Sequence, residues 1–337
     1  MKYDAVIVGA GLAGLKAAEV LAKGKKKVIV LEKDSDFCLK PCAAGVLRYD
    51  LRLIPERIIE RNFRKIYLNH KNKKYEFKGT KKPLIITVDK KKLCRIIAES
   101  ALKNGAKILK NSQVSKVADN FVTAGNKKYF YRYLIGADGS NSIVRRHLGL
   151  KTKRLHFTLE YSTKKKFNEL VAYTNFENGL GYHWIFPHKG YTSIGSGSTS
   201  PKNLKEHFYD FCRKINVKAD NSKLKGAIIN FDYQGYRFGN KFLVGDAAGF
   251  ASGFTGQGIY FALKSAEDAA KLILDKNYGP KGIEEILKMK KRQETLMELL
   301  ETGKRIPGIF DLEINMLLWA ARKRAFLKWL AKLFSWI

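Results

Sequence analysis

Val244-Gly245-Asp246-Ala247-Ala248-Gly249, followed at Gly256-Gln257-Gly258 by a long helical pattern, decides the fold of this chain. Lys241 to Val244 reads as an apolar strand, and the aspartate just after it can accept hydrogen bonds from the ribityl hydroxyls of a flavin. A helix opening near Gly258 and Ile259 would point its positive end at the pyrimidine edge of the isoalloxazine, favouring the negative charge of reduced flavin. Far upstream stands Gly9-Ala10-Gly11-Leu12-Ala13-Gly14, between the apolar strand Ala5 to Val8 and a helical run from Leu12 to Leu21. Lys27 to Leu31 reads as a second strand leading to Glu32, 23 residues after Gly9. Gly9, Gly11 and Gly14 allow a tight turn and close backbone approach to a pyrophosphate, while Glu32 suits the ribose hydroxyls of an adenosine. Its charge would repel a 2′-phosphate. The two motifs together point to FAD, held from both ends. A secretory signal is the competing reading of the N-terminus, and Asp4, the three glycines and the Lys23 to Lys27 charges argue against it.

The chain of 337 residues carries 64 Lys+Arg against 31 Asp+Glu, a formal charge of +33. Such an excess suggests nucleic acid first. No helix-turn-helix, zinc-ligand or RNA-sheet signature accompanies it, so the expectation is no nucleic-acid partner and instead an anionic membrane surface. Cys38, Cys42, Cys94 and Cys212 are too few and scattered for a secreted disulfide framework, though Cys38 and Cys42 are close enough to form a redox pair. The six histidines show no metal-ligand spacing, so no metal is expected. No apolar segment reaches the roughly 18 residues of a membrane span. These features predict a cytoplasmic protein, peripheral on the inner face of the cell membrane.

After Glu32 a loop of small residues ends in Lys40-Pro41-Cys42-Ala43-Ala44-Gly45. Alternation from Arg64 to Val88 predicts strands, and Asp89 is placed to cap a helix to Asn104 with Leu93, Ile96, Ile97 and Leu102 buried. Short strands follow at 106–110 and 113–117. Tyr133 to Gly139 reads as a strand entering a glycine turn, with a helix from Ser140 to Leu148. From Lys151 to Arg237 the pattern turns to aromatic, strand-like pieces, as expected of a sheet facing a substrate. The Gly-Asp strand and helix then return to the nucleotide domain. The expected organisation is α/β. A Rossmann-like FAD-binding domain of 1–50, 89–150 and 238–275 carries an inserted antiparallel β-sheet substrate domain of 51–88 and 151–237. A helical C-terminal region, 276–337, follows.

In order, the glycine motif, the cysteine loop, Gly136-Ala137-Asp138-Gly139 and the Gly-Asp-Ala-Ala-Gly segment resemble flavoproteins built like p-hydroxybenzoate hydroxylase. Within them the chain is similar to the geranylgeranyl reductase family, whose members saturate double bonds of isoprenoid chains in lipids, chlorophyll precursors and quinones. Pro41-Cys42-Ala43-Ala44-Gly45 is similar to that family's cysteine loop beside the flavin. Gly181-Tyr182-His183-Trp184-Ile185-Phe186-Pro187 is similar to its Tyr-x-Trp-x-Phe-Pro strand, which lines the lipid tunnel. The resemblance covers roughly 1–275. It implies FAD contacts from Ala13 and Glu32, from Cys42, Ala43 and Gly45, from the backbone of Val114, and from Asp246, Gly258 and Ile259. Lys90 stands where the family usually has an arginine against the pyrophosphate, keeping the charge but losing the bidentate fork. Ala43-Ala44 replaces glycine-rich positions.

Reducing an isolated alkene requires a hydride and a proton on adjacent carbons, with water excluded. Cys42 is the candidate proton donor, or the positioner of a donor water. Tyr182, Trp184 and Phe186 fall on one strand face and are the candidate substrate wall, an ordinary sheet core being the other reading. His183 points the other way. The implied activity is FAD-dependent reduction of isoprenoid C=C bonds in a lipid or quinone, with NADH, a ferredoxin or a deazaflavin as electron donor. The alternatives are an FAD monooxygenase acting on an apolar or aromatic substrate, and a membrane electron-transfer flavoprotein. At the end of the chain, helical spacing over 316–337 gathers Met316, Trp319, Phe326, Leu327, Leu330, Phe334 and Ile337 on one face. Five basic residues lie between Arg322 and Lys332. That composition suits an interfacial membrane helix, or one docked on its own core.

Overall fold

A computed structural model describes residues 2–47, 53–71, 73–79, 82–174 and 179–303. The chain divides into two units, one of residues 1–39, 90–155 and 229–288, the other of 40–89, 156–228 and 289 onward.

The first unit is built on an eight-stranded sheet. At its centre Lys2–Val8 lies parallel to both Val28–Leu31 and Lys127–Gly136. Val28–Leu31 pairs outward with Lys107–Leu109, and Lys127–Gly136 with Lys241–Leu243, also in parallel. Val28–Leu31 is buried along its whole length, which explains why it reads as an unbroken apolar run rather than an alternation. Register matters most at the carboxyl ends. Val8 sits opposite both Leu31 and Gly136, and Gly136 opposite Leu243. The glycine turn, Glu32, Asp138 and Asp246 therefore all emerge from one edge of the sheet, where open α/β sheets take their ligands.

Helices Leu12–Lys23, Lys90–Lys103 and Ile259–Leu274 accompany this sheet, the first packing on the other two. Their buried faces are rich in alanine: Ala17, Ala18 and Ala22 on the first, Ala266, Ala269 and Ala270 on the last. Small side chains let the helices approach closely. Leu102, expected to be buried, is 48% exposed. The buried stripe of that helix runs through Leu93, Cys94, Ile97, Ala98 and Ala101, and Leu102 lies about 110° from its centre.

In the second unit a seven-stranded sheet has the order Lys225–Asn230, Leu155–Thr163, Thr192–Ser198, Gly181–Pro187, Leu170–Thr174, Lys65–His70, Lys73–Lys78. All the pairings described by register are antiparallel except that of Leu170–Thr174 with Lys65–His70. A smaller sheet joins Gly45–Leu47, Ile85–Val88 and Ile59–Phe63. The sequence reading saw only strands between 151 and 237, yet Leu204–Lys214 is a helix. Its Phe208, Phe211 and Cys212 pack on Val171, Ile185 and Ile194, giving the sheet a core on one face. Burying one such phenylalanine contributes about 1.5–3 kcal/mol. Lys281–Gly303 forms a further helix, and the expected 316–337 helix lies outside the described residues.

The cysteines depart from expectation. Cys38 bonds Cys94 on the 90–103 helix, not Cys42, and both bonded residues belong to the first unit. Cys42 is an exposed free thiol and Cys212 a buried one. Cys38 itself adopts φ of +57°. Closing a span of 56 residues would stabilise the fold by about 4 kcal/mol on loop entropy alone. Thiol titration of the denatured, unreduced protein should find two free thiols, and four after reduction. Four before reduction would rule the bridge out.

Candidate functional site

At the first strand's carboxyl end, Gly9 and Gly14 have no room for a side chain. A β-carbon on Gly14 would lie 1.9 Å from the Gly9 carbonyl oxygen, and one on Gly9 2.5 Å from that of Ala137. Gly11 is different: nothing stands within 4 Å of the position its β-carbon would take. It faces open space at the N-terminus of the Leu12–Lys23 helix, where no side chain caps the first-turn N–H groups and no acidic residue occupies the first turn. These donors and the dipole suit a pyrophosphate. Glu32 is buried, and its two carboxylate oxygens accept from the backbone N–H of Ala10 at 2.5 Å and of Asp34 at 2.9 Å. It thus fixes the glycine turn while keeping lone pairs for a diol. The Ser112 N–H donates to the Glu32 carbonyl at 2.6 Å, which brings the segment leading to buried Val114 alongside.

Asp246, Gly258 and Ile259 also come together. Gly258 directly precedes the Ile259–Leu274 helix, and a β-carbon there would lie 3.7 Å from Asp246 Oδ1. The carboxylate therefore stands at the positive end of that helix. Ser140 Oγ donates to Asp246 Oδ2 at 3.3 Å, and the Asn230 amide donates to the Asp246 carbonyl at 2.9 Å. Gly245, at φ +55°, fits between Ala13 and Ala262, where an added β-carbon would lie 3.2 Å and 3.4 Å from theirs. Arg145, fully buried, donates to the carbonyls of Asp232 (2.8 Å) and Ala247 (3.4 Å), bracing the Gly-Asp turn, and burial lowers its pKa. Asp138 accepts from the Ile143 N–H at 2.7 Å, and burial raises its carboxyl toward the protonated form. Its other oxygen is buried without a hydrogen-bond partner among the described residues. Lys90 opens its helix half-buried. An open glycine, uncapped helical N–H groups and a carboxylate at a helix start fit FAD.

The second unit collects the other candidates. Cys42, Ala43 and Gly45 lie on one loop, and Gly45 abuts Phe186, whose ring would stand 2.3 Å from a β-carbon there. Cys42 Sγ accepts from the Ala44 N–H at 3.3 Å, with Ala44 at φ +50°. Tyr182 is close enough to feel the charge of Cys42. Burial first, and that charge second, push its phenol up to about 12. Tyr182 meets Trp184 edge to face at 6.1 Å. Gly195 leaves the space Trp184 fills, since a β-carbon there would lie 2.1 Å from the indole. The opposite face belongs to the helix: His183 stacks on Phe211 at 4.6 Å, and burial, with help from His207 and Lys214, lowers its pKa to about 4. His188 holds the Ala43 carbonyl at 3.0 Å and pairs with Glu60. Sequence reasoning missed Ser140, Asn230, Glu60 and His188. Only His188 left a signal, directly after the aromatic strand.

Comparison with known proteins agrees with this geometry. The family model described as an FAD binding domain matches residues 2–289. An uncharacterised protein of Methanosarcina barkeri is 33% identical over 294 residues, covering 81% of this chain and 74% of that protein. The digeranylgeranylglycerophospholipid reductase of Methanococcus vannielii is 30% identical over 312 residues, 82% of this chain and 79% of its own. Among solved structures, a geranylgeranyl bacteriochlorophyll reductase-like protein of Thermoplasma acidophilum has a TM-score of 0.80 at 20% identity, covering 99% of this chain and 97% of that one. The chain belongs to the FAD-binding flavoprotein family, in its geranylgeranyl reductase branch, and is an FAD-dependent oxidoreductase.

Two substitutions separate folding from cofactor binding. Gly14→Ala should fail to fold, whereas Gly11→Ala should fold with weakened FAD retention. Asp246→Ala should lose FAD by roughly 1.5–3 kcal/mol for each charge-assisted hydrogen bond removed. Equilibrium dialysis with FAD, alongside circular dichroism, reads both. Full FAD binding by Asp246→Ala would remove that residue from the site.

Proposed function

We propose that the protein saturates C=C bonds of isoprenoid, geranylgeranyl-type chains in lipids or quinones, with Cys42 supplying the proton. The observation that carries this reading is the packing of the cysteine loop on the Tyr182–Phe186 strand, through Gly45 and Phe186. A thiol and an aromatic wall then share one surface, as an apolar polyene chain and its protonation require. Bound and reduced, FAD supplies the hydride. Cys42 donates its proton to the neighbouring carbon, and the Ala44 N–H stabilises the negative sulfur left behind. The Tyr182 phenol stays protonated beside it at neutral pH and limits access of water. Trp184, held by its Nε1–H to Ser193 at 3.2 Å, and Phe186 present apolar area to the chain.

Cys42→Ala should keep its FAD and its reduction by dithionite, yet lose alkene turnover by about 10²-fold or more. Lipid mass spectrometry reads the product, which gains two hydrogens per bond. Unchanged turnover would leave Cys42 a packing residue, and oxygen consumption matched to hydroxylated product would favour a monooxygenase instead.

We infer too that the work is done at an anionic membrane surface. The reading is supported by the +33 charge and by the pattern of 316–337, which lies outside the described residues. Among the described residues no helix is long and apolar enough to cross a membrane. Deleting 316–337 should weaken binding to phosphatidylserine vesicles and flatten its salt dependence, because the basic residues contribute about 1 kcal/mol each near such a surface. Undiminished sedimentation with vesicles would place the membrane contact elsewhere.

A further inference from the structure

The His188 side chain is fully buried, with a hydrogen-bond acceptor on each ring nitrogen. Nε2 meets the Ala43 carbonyl oxygen at 3.0 Å, and Nδ1 pairs with a carboxylate oxygen of Glu60. A carbonyl cannot donate, so the Nε2–H donates to Ala43 while Glu60 anchors the ring at Nδ1.

From this we propose that His188, anchored by Glu60, is the positioning residue for Cys42, clamping its loop through Ala43. The proposal rests on the reading of Cys42 as proton donor. Tyr191 stacks on the imidazole at 4.4 Å, and the groups around Tyr191 are Glu60, Glu160, Asp89 and Cys42. Burial and these acidic groups raise the Tyr191 phenol, so it stays neutral. The other end of the loop is fixed independently: Val88 N–H donates to the Ala44 carbonyl at 3.1 Å, and Thr87 Oγ1 donates to the Pro187 carbonyl at 2.9 Å. Loss of the clamp thus frees the Cys42–Ala43 stretch and leaves the sheet intact.

With the FAD-loaded enzyme, His188→Ala should lower kcat for alkene reduction by about 10–100-fold, the cost of misplacing a reacting group by an ångström, with KM for the lipid little changed. His188→Gln, whose amide N–H can donate to Ala43 in place of the Nε2–H, should recover part of that loss. Hydrogen exchange of the amides over 42–45 gives a readout apart from turnover. Corrected for intrinsic rates, protection should be lost in His188→Ala and largely kept in His188→Gln. Loop protection or kcat unchanged in His188→Ala overturns the proposal. If Cys42→Ala retains turnover, the proton-donor reading fails, while the exchange data still decide whether the clamp exists.

Discussion

The close approach of backbone to backbone at Gly9, Gly14 and Ala137 is the constraint on which the nucleotide half depends. With 1.9 Å and 2.5 Å available where β-carbons would go, the first helix can lie against the first strand and its neighbour only if both residues are glycine. That contact aligns the start of Leu12–Lys23 with the sheet's carboxyl edge and leaves Gly11 facing outward. Everything else at the edge is tied to it. Glu32 holds the Ala10 N–H, Ala13 receives Gly245, and the buried Arg145 braces Ala247 behind Asp246. Distant parts of the sequence become one cradle because parallel strands end in register.

The second unit solves a different problem, a sheet with demands on both faces. One face is spent on stability: the Leu204–Lys214 helix covers Val171, Ile185 and Ile194 and stacks Phe211 on His183. The other carries large aromatic rings, and packing them requires missing side chains. Gly195 makes room for Trp184, and Gly45 for Phe186. Glycine in a strand is unfavourable by itself. Here its cost is offset by ring surface that would otherwise have no place to lie. The strand's alternation thus separates the face that packs on the helix from the face that carries the rings.

These particulars show why some features were legible in the sequence and others were not. The Gly-Asp turn, the glycine motif and the Tyr-x-Trp-x-Phe-Pro strand carry local signals, because each needs special residues at fixed spacing. The pairing of Asp246 with the start of Ile259–Leu274 followed from spacing within one turn-helix unit. The Leu204–Lys214 helix was overlooked because it carries aromatic residues itself, Phe208, Tyr209 and Phe211, and the surrounding strands set the expectation. The Cys38–Cys94 bridge and the Glu60–His188 contact span 56 and 128 positions, and no periodicity records such a separation. Asn230 and Ser140 look like ordinary polar residues until folding brings both to Asp246.

One further consequence is electrostatic. Three carboxyl groups, Glu32, Asp138 and Asp246, crowd the edge suited to a diphosphate, which a strongly basic chain could have lined with lysines instead. Each is already engaged locally. Glu32 takes two backbone N–H groups, Asp138 caps the turn of Ile143–His147, and Asp246 sits at a helix start with Ser140 donating to it. Hydrogen bonds to backbone dipoles neutralise much of a carboxylate's field at short range. Burial adds to this at Asp138 by favouring its uncharged form. What remains directed outward is the positive end of the Leu12–Lys23 helix, without a capping side chain, so an anion is attracted by backbone geometry that no side-chain titration can remove.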